Sequence, residues 1–430
     1  MPQSIINFVR RYYHKKLDKL IDPDIKDQVD SRSFEVFKEI AYKCISLNLM
    51  ERPTMETLIE KIEVALNIEL QNNDAAFIEY VMEEIRFSHG KPVVAFTIYK
   101  RLLRKKYFEA ESTTAFDRLI QFFNSAIEVK KDNTHMAYWL SNASALLFLI
   151  QKSLKLDGAS SDVVQQVKAA KKPGLDFMQE LKEYVGKVYG IIFSNLKKDV
   201  ESILALCIQD LKNGRLQRRS SYWKDILDLL YTFLNIFKEI FVPIIIAQKI
   251  FTQIFSYINV QLFNSLLQHR TCCSSNNLRN LIDGLLLFNM WCHKATPEYA
   301  GSALDELQHI DQATQFLIFA ETPMVNYDEI RLVIPRIVSK SQLTELCTNV
   351  YNEDNRHLNE GFKECHARLK REMKVERSDA SKQSLLIKEN SSICFSGEDL
   401  SNSLQVEDFK NVEPAHVQLS EYQAFDFLYN

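Results

Sequence analysis

Five cysteine and histidine side chains of the kind that bind zinc lie close together in the sequence. They are His269, Cys272, Cys273, Cys292 and His293. Adjacent cysteines point to different sides of a helix or turn, and the chain contains no C-x-x-C pair, so the usual spacing of thiolate ligands is missing. We therefore predict that the cysteines are small buried hydrophobic residues and that the chain binds no metal or other cofactor.

Three carboxylates in the stretch "EYAGSALDEL" are of the type that performs general acid–base chemistry. Glu298, Asp305 and Glu306 are predicted to lie near one surface of a helix. The sequence shows no histidine, nucleophile or glycine-rich pocket pattern beside them. We predict that they are surface acids and that the chain has no catalytic residue.

A basic cluster on a predicted helix has two interpretations. Lys100, Arg101, Arg104, Lys105 and Lys106 belong to "KRLLRKK". The cluster is either a binding surface for anionic lipid or an acidic adaptor face, or the solvated side of a helix.

The stretch "RLQRRSS" places Ser220 and Ser221 directly after two arginines, in a predicted loop. A kinase that prefers basic residues would accept these serines, and added charge would disturb an interface there. The alternative is an unmodified loop.

The composition indicates an all-helical protein. Of its 430 residues 46% are hydrophobic, and only 10 are glycine and 10 proline, so helix breakers are sparse. The net charge of -3 gives no sign of nucleic-acid binding. Eight scattered cysteines, no signal peptide and no apolar run that spans a bilayer predict a cytoplasmic protein with reduced thiols.

The uncharged stretch at residues 251–267, "FTQIFSYINVQLFNSLL", predicts a buried helix. One broad apolar arc is centred on Ile258, and a second arc on nearly the opposite side contains Val260, Phe263 and Leu267. Asn and Gln residues between the arcs argue against a membrane span. We expect them to form hydrogen bonds with neighbouring helices.

Further elements follow from periodicity and breakers. A helix is predicted at 33–46, and Pro53 with Thr54 opens a second one. Thr296 is predicted to cap a helix that begins at Pro297 and repeats apolar residues to Leu317. A helix pair is predicted near 341–373, and residues 376–430 are predicted to form a loose, polar tail. The three tryptophans, Trp139, Trp223 and Trp291, are predicted core anchors.

Residues 1–70 resemble the C-terminal end of a plant receptor-like protein kinase domain. The resemblance rests on "IDPDIKDQ", "FKEIAYKCISLNLMERPTM" and "IEKIEVAL". In that family the arginine of the E-R-P-T-M turn, here Arg52, pairs with a glutamate of the activation segment. The sequence contains no such segment, no glycine-rich loop, no strand lysine and no H-R-D or D-F-G motif. Phosphoryl transfer needs these parts, so the resemblance implies a catalytically inactive fragment.

Residues 74–430 resemble the dilute domain, the globular tail that plant class XI myosins share with class V myosins. The resemblance is carried, in order, by "FSHGKPVVAFTIYKRLL", "FDRLIQFFNSAIEV", "MAYWLSNASALLFLIQKSLK", "KVYGIIFSNLKKDVESILALCIQ", "FTQIFSYINVQLFNSLL" and "ATPEYAGSALDELQHIDQATQFLI". It implies an elongated, two-lobed helical bundle. The expected domains are a kinase-like fragment at 1–70, the globular tail at 74–375 and a polar C-terminal tail at 376–430.

The resemblance also implies a function. Tails of this family bind adaptor proteins and small GTPases on vesicles and organelles, and contact actin only through a motor head. No G-x-x-x-x-G-K-[ST] loop is present, so we expect a cargo-binding tail without its motor, peripherally associated with membranes through adaptors. Two alternatives remain, a catalytically dead remnant of a receptor-like kinase and the non-functional product of a fused gene.

Overall fold

The computed structural model of the chain describes residues 31–62, 91–104, 107–109, 114–129, 132–154, 172–213, 219–323, 325–334, 337–351, 358–376, 385–389 and 396–409. Every regular element in these ranges is an α-helix or a 3-10 helix, which confirms the predicted all-α fold. Among the described helices, none is both long and apolar enough to cross a membrane.

The chain divides into two compact units, of which the first comprises Met1–Arg86 and Ala110–Phe122. Its described part contains helix α1 (Ser31–Cys44), a 3-10 turn (Leu49–Glu51) and a helical stretch at residues 55–62. This agrees with the predicted pair of helices around Pro53. Ile40 is buried, but Phe37 is 55% exposed and Ile59 is 52% exposed. Part of the apolar surface of the described helices at residues 31–62 is therefore in contact with water.

The second unit comprises Phe87–Glu109 and Phe123–Asn430. The helices that follow α1 along the chain are α2 (Val93–Arg104), α3 (Ala115–Val129), α4 (Asn133–Leu154), α5 (Lys172–Asn213), α6 (Arg219–Glu239), α7 (Ile244–Gln268), α8 (Ser275–Ala300), α9 (Gln308–Ile318), α10 (Tyr327–Val333), α11 (Lys340–Val350), α12 (Glu360–Glu376) and α13 (Gly397–Ser403). Short 3-10 segments at Arg270–Cys273, Ala303–Leu307, Phe319–Glu321 and Val406–Phe409 join or extend them. The 42-residue α5 packs along α4 and α6.

Helix α7 lies at the centre of the second unit. It packs against α5, α8, α9 and α11 and against the 3-10 segment Ala303–Leu307. Most of its 25 residues are buried, including both predicted apolar arcs, and Ile258 is 0% exposed. The prediction of a buried helix at residues 251–267 is confirmed.

The polar residues of α7 have hydrogen-bond partners inside the protein. Thr252 donates to the carbonyl oxygen of Gln248 at 2.8 Å, and Ser265 donates to that of Leu262 at 2.7 Å. Gln253 accepts from the Tyr189 hydroxyl of α5 at 2.9 Å. These bonds offset the free energy that a buried polar group loses when it leaves water.

Aromatic side chains fill the space between α7 and α8. The ring centroid of Trp291 lies 4.7 Å from that of Phe251 and 5.5 Å from that of Phe255. Trp223 of α6 packs on Gly284 of α8, where a Cβ atom would come within 2.8 Å of the indole ring. All three tryptophans are buried, as predicted for core anchors.

The predicted helix that begins at Pro297 is wrong in its length. The chain leaves helical geometry at Thr296, which has a φ of 67°, and one further turn ends at Gly301, whose φ is 52°. The 3-10 segment Ala303–Leu307 and helix α9 then follow as separate elements. Pro297 cannot continue the preceding helix and Gly301 has a positive φ, so both breaks have local causes. Gln248 of α7 donates to the carbonyl oxygen of Glu298 at 2.7 Å and holds the turn between them against α7.

The prediction of a loose tail from residue 376 is wrong for the described residues after α12. Helix α13 packs against α5, where Lys182 and Glu398 form an ion pair at 2.7 Å. The ring of Phe409 stacks on Phe148 of α4 at a centroid distance of 4.7 Å. Polar composition misleads here because a few anchors attach the segment. The apolar patch at 424–429 lies outside the described residues.

Replacing Ile258 with Asp is expected to unfold the second unit. The side chain has no water contact, and an unpaired carboxylate there costs about 4 kcal/mol or more. That is a large part of the roughly 5–15 kcal/mol that stabilises a typical domain. The matched control is Leu286→Asp, the same chemistry at a position of α8 that is 57% exposed. Circular dichroism melts should separate the two variants by many degrees, and a stable Ile258→Asp protein would contradict the burial of α7.

Replacing Gly397 with Ala is expected to loosen α13 from α5. A Cβ atom at this position would lie 2.0 Å from the backbone carbonyl oxygen of Lys182, so one of the two helices must move. We expect a loss of about 1–3 kcal/mol in the free energy of unfolding. Gly190→Ala is the control, because nothing lies within 4 Å of its Cβ position in the middle of α5, and it should stabilise the protein by about 0.5–1 kcal/mol. Equal effects of the two changes on chemical denaturation would contradict this packing.

Candidate functional site

A cleft of about 500 Å³ lies between α5 and α7. Tyr257 and Glu201 line one end, and Lys212 and His269 line the other, so the two helices follow the cleft in the same direction. Leu204, Ala205 and Ile208 of α5 form an apolar strip along it. The cleft is open to solvent and has the form of a groove.

Carboxamide side chains line this groove along its length. Gln209 of α5 and Gln261, Asn264 and Gln268 of α7 contribute to it. A carboxamide presents both a donor and an acceptor, so it can pair with the N–H and the C=O of an extended peptide. The groove therefore has the chemistry to bind polypeptide main chain.

Residues 385–389, which we call the strap, already show such pairing. The Asn264 side chain donates to the carbonyl oxygen of Ile387 and accepts from the amide of Ile387, both at 3.0 Å. Gln342 of α11 donates to the carbonyl oxygen of Leu385 at 2.7 Å. Lys197 of α5 forms an ion pair with Glu389 at 2.7 Å. The strap thus crosses from α11 over α7 to α5.

At this crossing, Tyr257 and Lys197 interact with each other and with nearby carboxylates. Burial, together with the carboxylates of Glu201 and Glu389, raises the pKa of Tyr257 to about 12, so its hydroxyl stays protonated and can donate. The ammonium of Lys197 lies 4.6 Å from the centroid of the Tyr257 ring, in cation–π geometry. At the other end, burial and the charge of Lys212 lower the pKa of His269.

The cysteines of the predicted zinc-like group are buried. Cys272, Cys273 and Cys292 lie in the core, which confirms their interpretation as small hydrophobic residues. Burial raises the pKa of Cys292 to about 12, with a further contribution from Asp305, so this thiol is unreactive at neutral pH. Within the described ranges, no group of histidine, cysteine or acidic residues is arranged to hold a metal ion.

The three predicted surface acids lie on two different elements. Glu298 is exposed in the turn after the α8 break, whereas Asp305 and Glu306 belong to the 3-10 segment. Burial and the charge of Asp305 raise the pKa of Glu306, which accepts a hydrogen bond from Ser256 of α7. The prediction of a common helix surface is therefore wrong, because the chain bends at Thr296, and Glu306 is only partly exposed.

A histidine does lie near these acids, contrary to the sequence analysis. His309 is half-buried, its Nδ1 is 3.4 Å from the Asn259 side chain, and burial lowers its pKa. Asn259 also accepts from the amide of Ile310 at 3.0 Å and thereby holds the start of α9 against α7. The group is a set of structural contacts around Asn259.

The predicted basic cluster begins on the partly exposed side of α2. Lys100 and Arg101 lie on this helix and Arg104 is its last residue, while Lys105 and Lys106 lie outside the described residues. Its use in binding stays a prediction. Ser220 and Ser221 lie in the first turn of α6, which begins at Arg219, and the expected loop at these positions is wrong.

Sequence reasoning missed Asn264, Gln342 and Lys197 as site residues. Asn264 pairs with a backbone 123 residues away, so no local spacing signals the contact. The available signal was the presence of an amide on a helix that is otherwise apolar on two faces.

The comparisons with known proteins agree with this architecture. The DIL domain family model matches residues 249–354, from α7 past α11. Myosin-8 of Arabidopsis thaliana is 39% identical in an alignment of 431 positions, and the alignment covers 88% of this chain and 28% of that protein. Myosin-6 of the same plant is 40% identical over 405 residues, covering 83% and 27%. The chain thus spans less than a third of the length of these relatives.

Solved structures share the fold. The Myo2-GTD in complex with Inp2 superimposes with a TM-score of 0.58 at 14% identity, covering 84% of this chain and 97% of that one. A yeast myosin 5 cargo-binding domain gives a TM-score of 0.56 at 16% identity, covering 80% and 89%. Both likenesses concern the fold alone. Together with the sequence relatives, they lead to one conclusion: the chain carries a DIL domain at residues 249–354, is homologous to a part of the Arabidopsis myosins, and shares its fold with myosin globular tail domains.

Proposed function

We propose that this chain acts as the cargo-binding tail of a class XI-like myosin and recruits vesicle or organelle adaptors for transport along actin. The observation that carries the proposal is the 39% identity with Myosin-8 over 88% of the chain. Identity at this level over most of the chain supports a shared fold and a shared type of surface. The solved tails with bound Inp2, Mmr1 and Smy1 support the view that this fold serves to bind other proteins.

Adaptor proteins and small GTPases are the proposed partners. The chain would join vesicles or organelles in the cytoplasm through them and reach actin only by way of a motor head. The chemistry of the α5–α7 groove supports a binding role, because its carboxamides and apolar strip suit a polypeptide better than a small reactive substrate.

Two surface features are proposed as modulators. Lys100, Arg101 and Arg104, together with Lys105 and Lys106, would contact an acidic adaptor face or anionic lipid. Phosphorylation of Ser220 or Ser221 would place negative charge in the first turn of α6. A phosphate there interacts favourably with the helix dipole, so it would change the surface without melting the helix.

Residues 1–70 are proposed to be a fragment of a kinase large lobe, residues 74–375 the globular tail and residues 376–430 its C-terminal segment. At the E-R-P-T-M turn, Nε of Arg52 donates to the carbonyl oxygen of Ser46 at 3.0 Å, a local contact in place of the activation-segment pairing of the kinase family. We further propose that the chain catalyses no nucleotide chemistry. Stoichiometric binding of Mg-ATP in calorimetry would favour the kinase-remnant alternative instead.

The test is recruitment in plant cells. The full chain, fused to a fluorescent protein, is expected to decorate moving organelles or vesicles and to slow them, because it competes with complete motors for adaptors. The Leu286→Asp variant controls for a change of charge on the folded protein, and Ile258→Asp controls for a misfolded chain. A diffuse signal from the folded wild-type chain, with organelle velocities unchanged, would contradict the proposal.

A further inference from the structure

The strap is held mainly through its backbone. The Asn264 side chain forms its hydrogen bonds to the strap with main-chain atoms of Ile387, and Gln342 donates to the carbonyl oxygen of Leu385. Contacts of this kind are indifferent to the side chain at the paired position. Among the described residues, the side-chain contact that discriminates is the ion pair of Glu389 with Lys197.

The side chains of the strap are only partly buried. Leu385 is 38% exposed, Leu386 is 37% exposed and Ile387 is half-buried, while Lys388 and Glu389 are exposed. Burial of apolar area is the main source of affinity in peptide docking, so the partial exposure of both leucines limits how tightly the strap holds its own site. What keeps it there is the high effective concentration of a segment on the same chain.

The binding partners on the body are preorganised. Gln342 is the N3 residue of the capping box at the start of α11, and its Oε1 accepts from the amide of Ser339 at 3.0 Å, which aims its Nε2 at the strap. Lys197 is held over the ring of Tyr257. A site whose groups are already oriented loses little entropy when it binds a new segment.

The surface continues beyond the strap into the α5–α7 groove. Asn264 contacts the strap and also lines the groove. Tyr257 lines the groove as well, and the ammonium of Lys197 that pairs with Glu389 of the strap lies over its ring. A longer segment would therefore find further carboxamides and the apolar strip of α5 next to the position that the strap fills. The groove thus continues from Asn264 toward Lys212 and His269, beyond the residue that pairs with the strap.

We propose that Asn264, Gln342 and Lys197 form a binding site for an extended segment of a partner protein, which replaces the strap. The segment would carry an acidic residue two positions after the residue that pairs with Asn264, as Glu389 follows Ile387. This inference rests on the proposed function, because it names the kind of partner segment that such a tail would accept.

The experiment uses the full chain and a fluorescent peptide, Ser-Leu-Leu-Ile-Lys-Glu-Asn, which copies residues 384–390. Glu389→Lys in the chain makes its own strap repel Lys197 and opens the site to the peptide. Fluorescence anisotropy is expected to show about fivefold tighter binding to this variant than to the wild-type chain. Equal binding to both, or no binding to either, would overturn the proposal.

The binding site itself is tested in the Glu389→Lys background. Adding Asn264→Leu should lower the peptide affinity at least tenfold, since two hydrogen bonds to the backbone are lost. Lys197→Glu in the chain that keeps Glu389 also repels its own strap, so it should weaken binding of this peptide and bind a peptide with Lys in place of Glu, whereas the Lys197→Glu, Glu389→Lys double variant re-forms the strap contact and should bind both peptides weakly. Lys198→Glu, on the exposed neighbouring residue of α5, should leave both affinities unchanged. Because the charge swap regains binding, it also shows that the variant is folded.

Three further outcomes distinguish a partner protein from a second copy of this chain, and this inference from the proposed function. If the Glu389→Lys chain becomes a dimer in light scattering and the peptide dissolves it, the occupant is the strap of a second copy, and the assignment to a partner protein is overturned. If the peptide fails to bind while the chain still decorates organelles, only this inference falls. Peptide binding by a chain that never reaches organelles would contradict the proposed function instead.

Discussion

The fold of the second unit depends on one constraint: most of α7 is buried, so each of its buried polar groups must find a partner within the protein. An unpaired amide or hydroxyl in such a place costs about 1–3 kcal/mol. Thr252 and Ser265 meet this constraint within the helix by bonding to carbonyl oxygens of the preceding turn. The amides meet it by reaching other segments, and those contacts fix where these segments lie.

Three asparagine contacts show how this works. Asn259 fixes the start of α9 through the amide of Ile310, and Asn264 fixes the strap through both main-chain groups of Ile387. In the opposite direction, Asn349 of α11 donates to the carbonyl oxygens of Leu266 and Leu267 at 2.9 Å and satisfies the last turn of α7. Segments distant in the sequence therefore converge on one helix. The outermost of these contacts, that of Asn264 with Ile387, binds main-chain atoms.

The sequence predicts the parts of this arrangement that depend on local pattern. The two apolar arcs around Ile258 identify a buried helix because burial on two faces leaves a periodic trace. Thr296 and Pro297 mark a real break, but the contact of the following turn with Gln248 of α7 joins residues 50 apart, which no local pattern records. Composition does not predict the contacts of Glu398 with Lys182 and of Ile387 with Asn264. A polar segment held by two or three such contacts has the same composition as an unattached one.

The functional interpretation follows from this architecture together with the homology to myosin tails. A rigid centre with amide side chains at its surface can present a groove without moving, and specificity then lies in the few charged groups at its edges. Native-state hydrogen exchange of the full chain, read by mass spectrometry, tests the central role of α7 most directly. The account predicts that the α7 amides exchange only when the whole second unit unfolds, at the slowest rate among the described helices. Exchange of α7 as early as that of residues 55–62, where Ile59 and Ile62 are exposed, would contradict it.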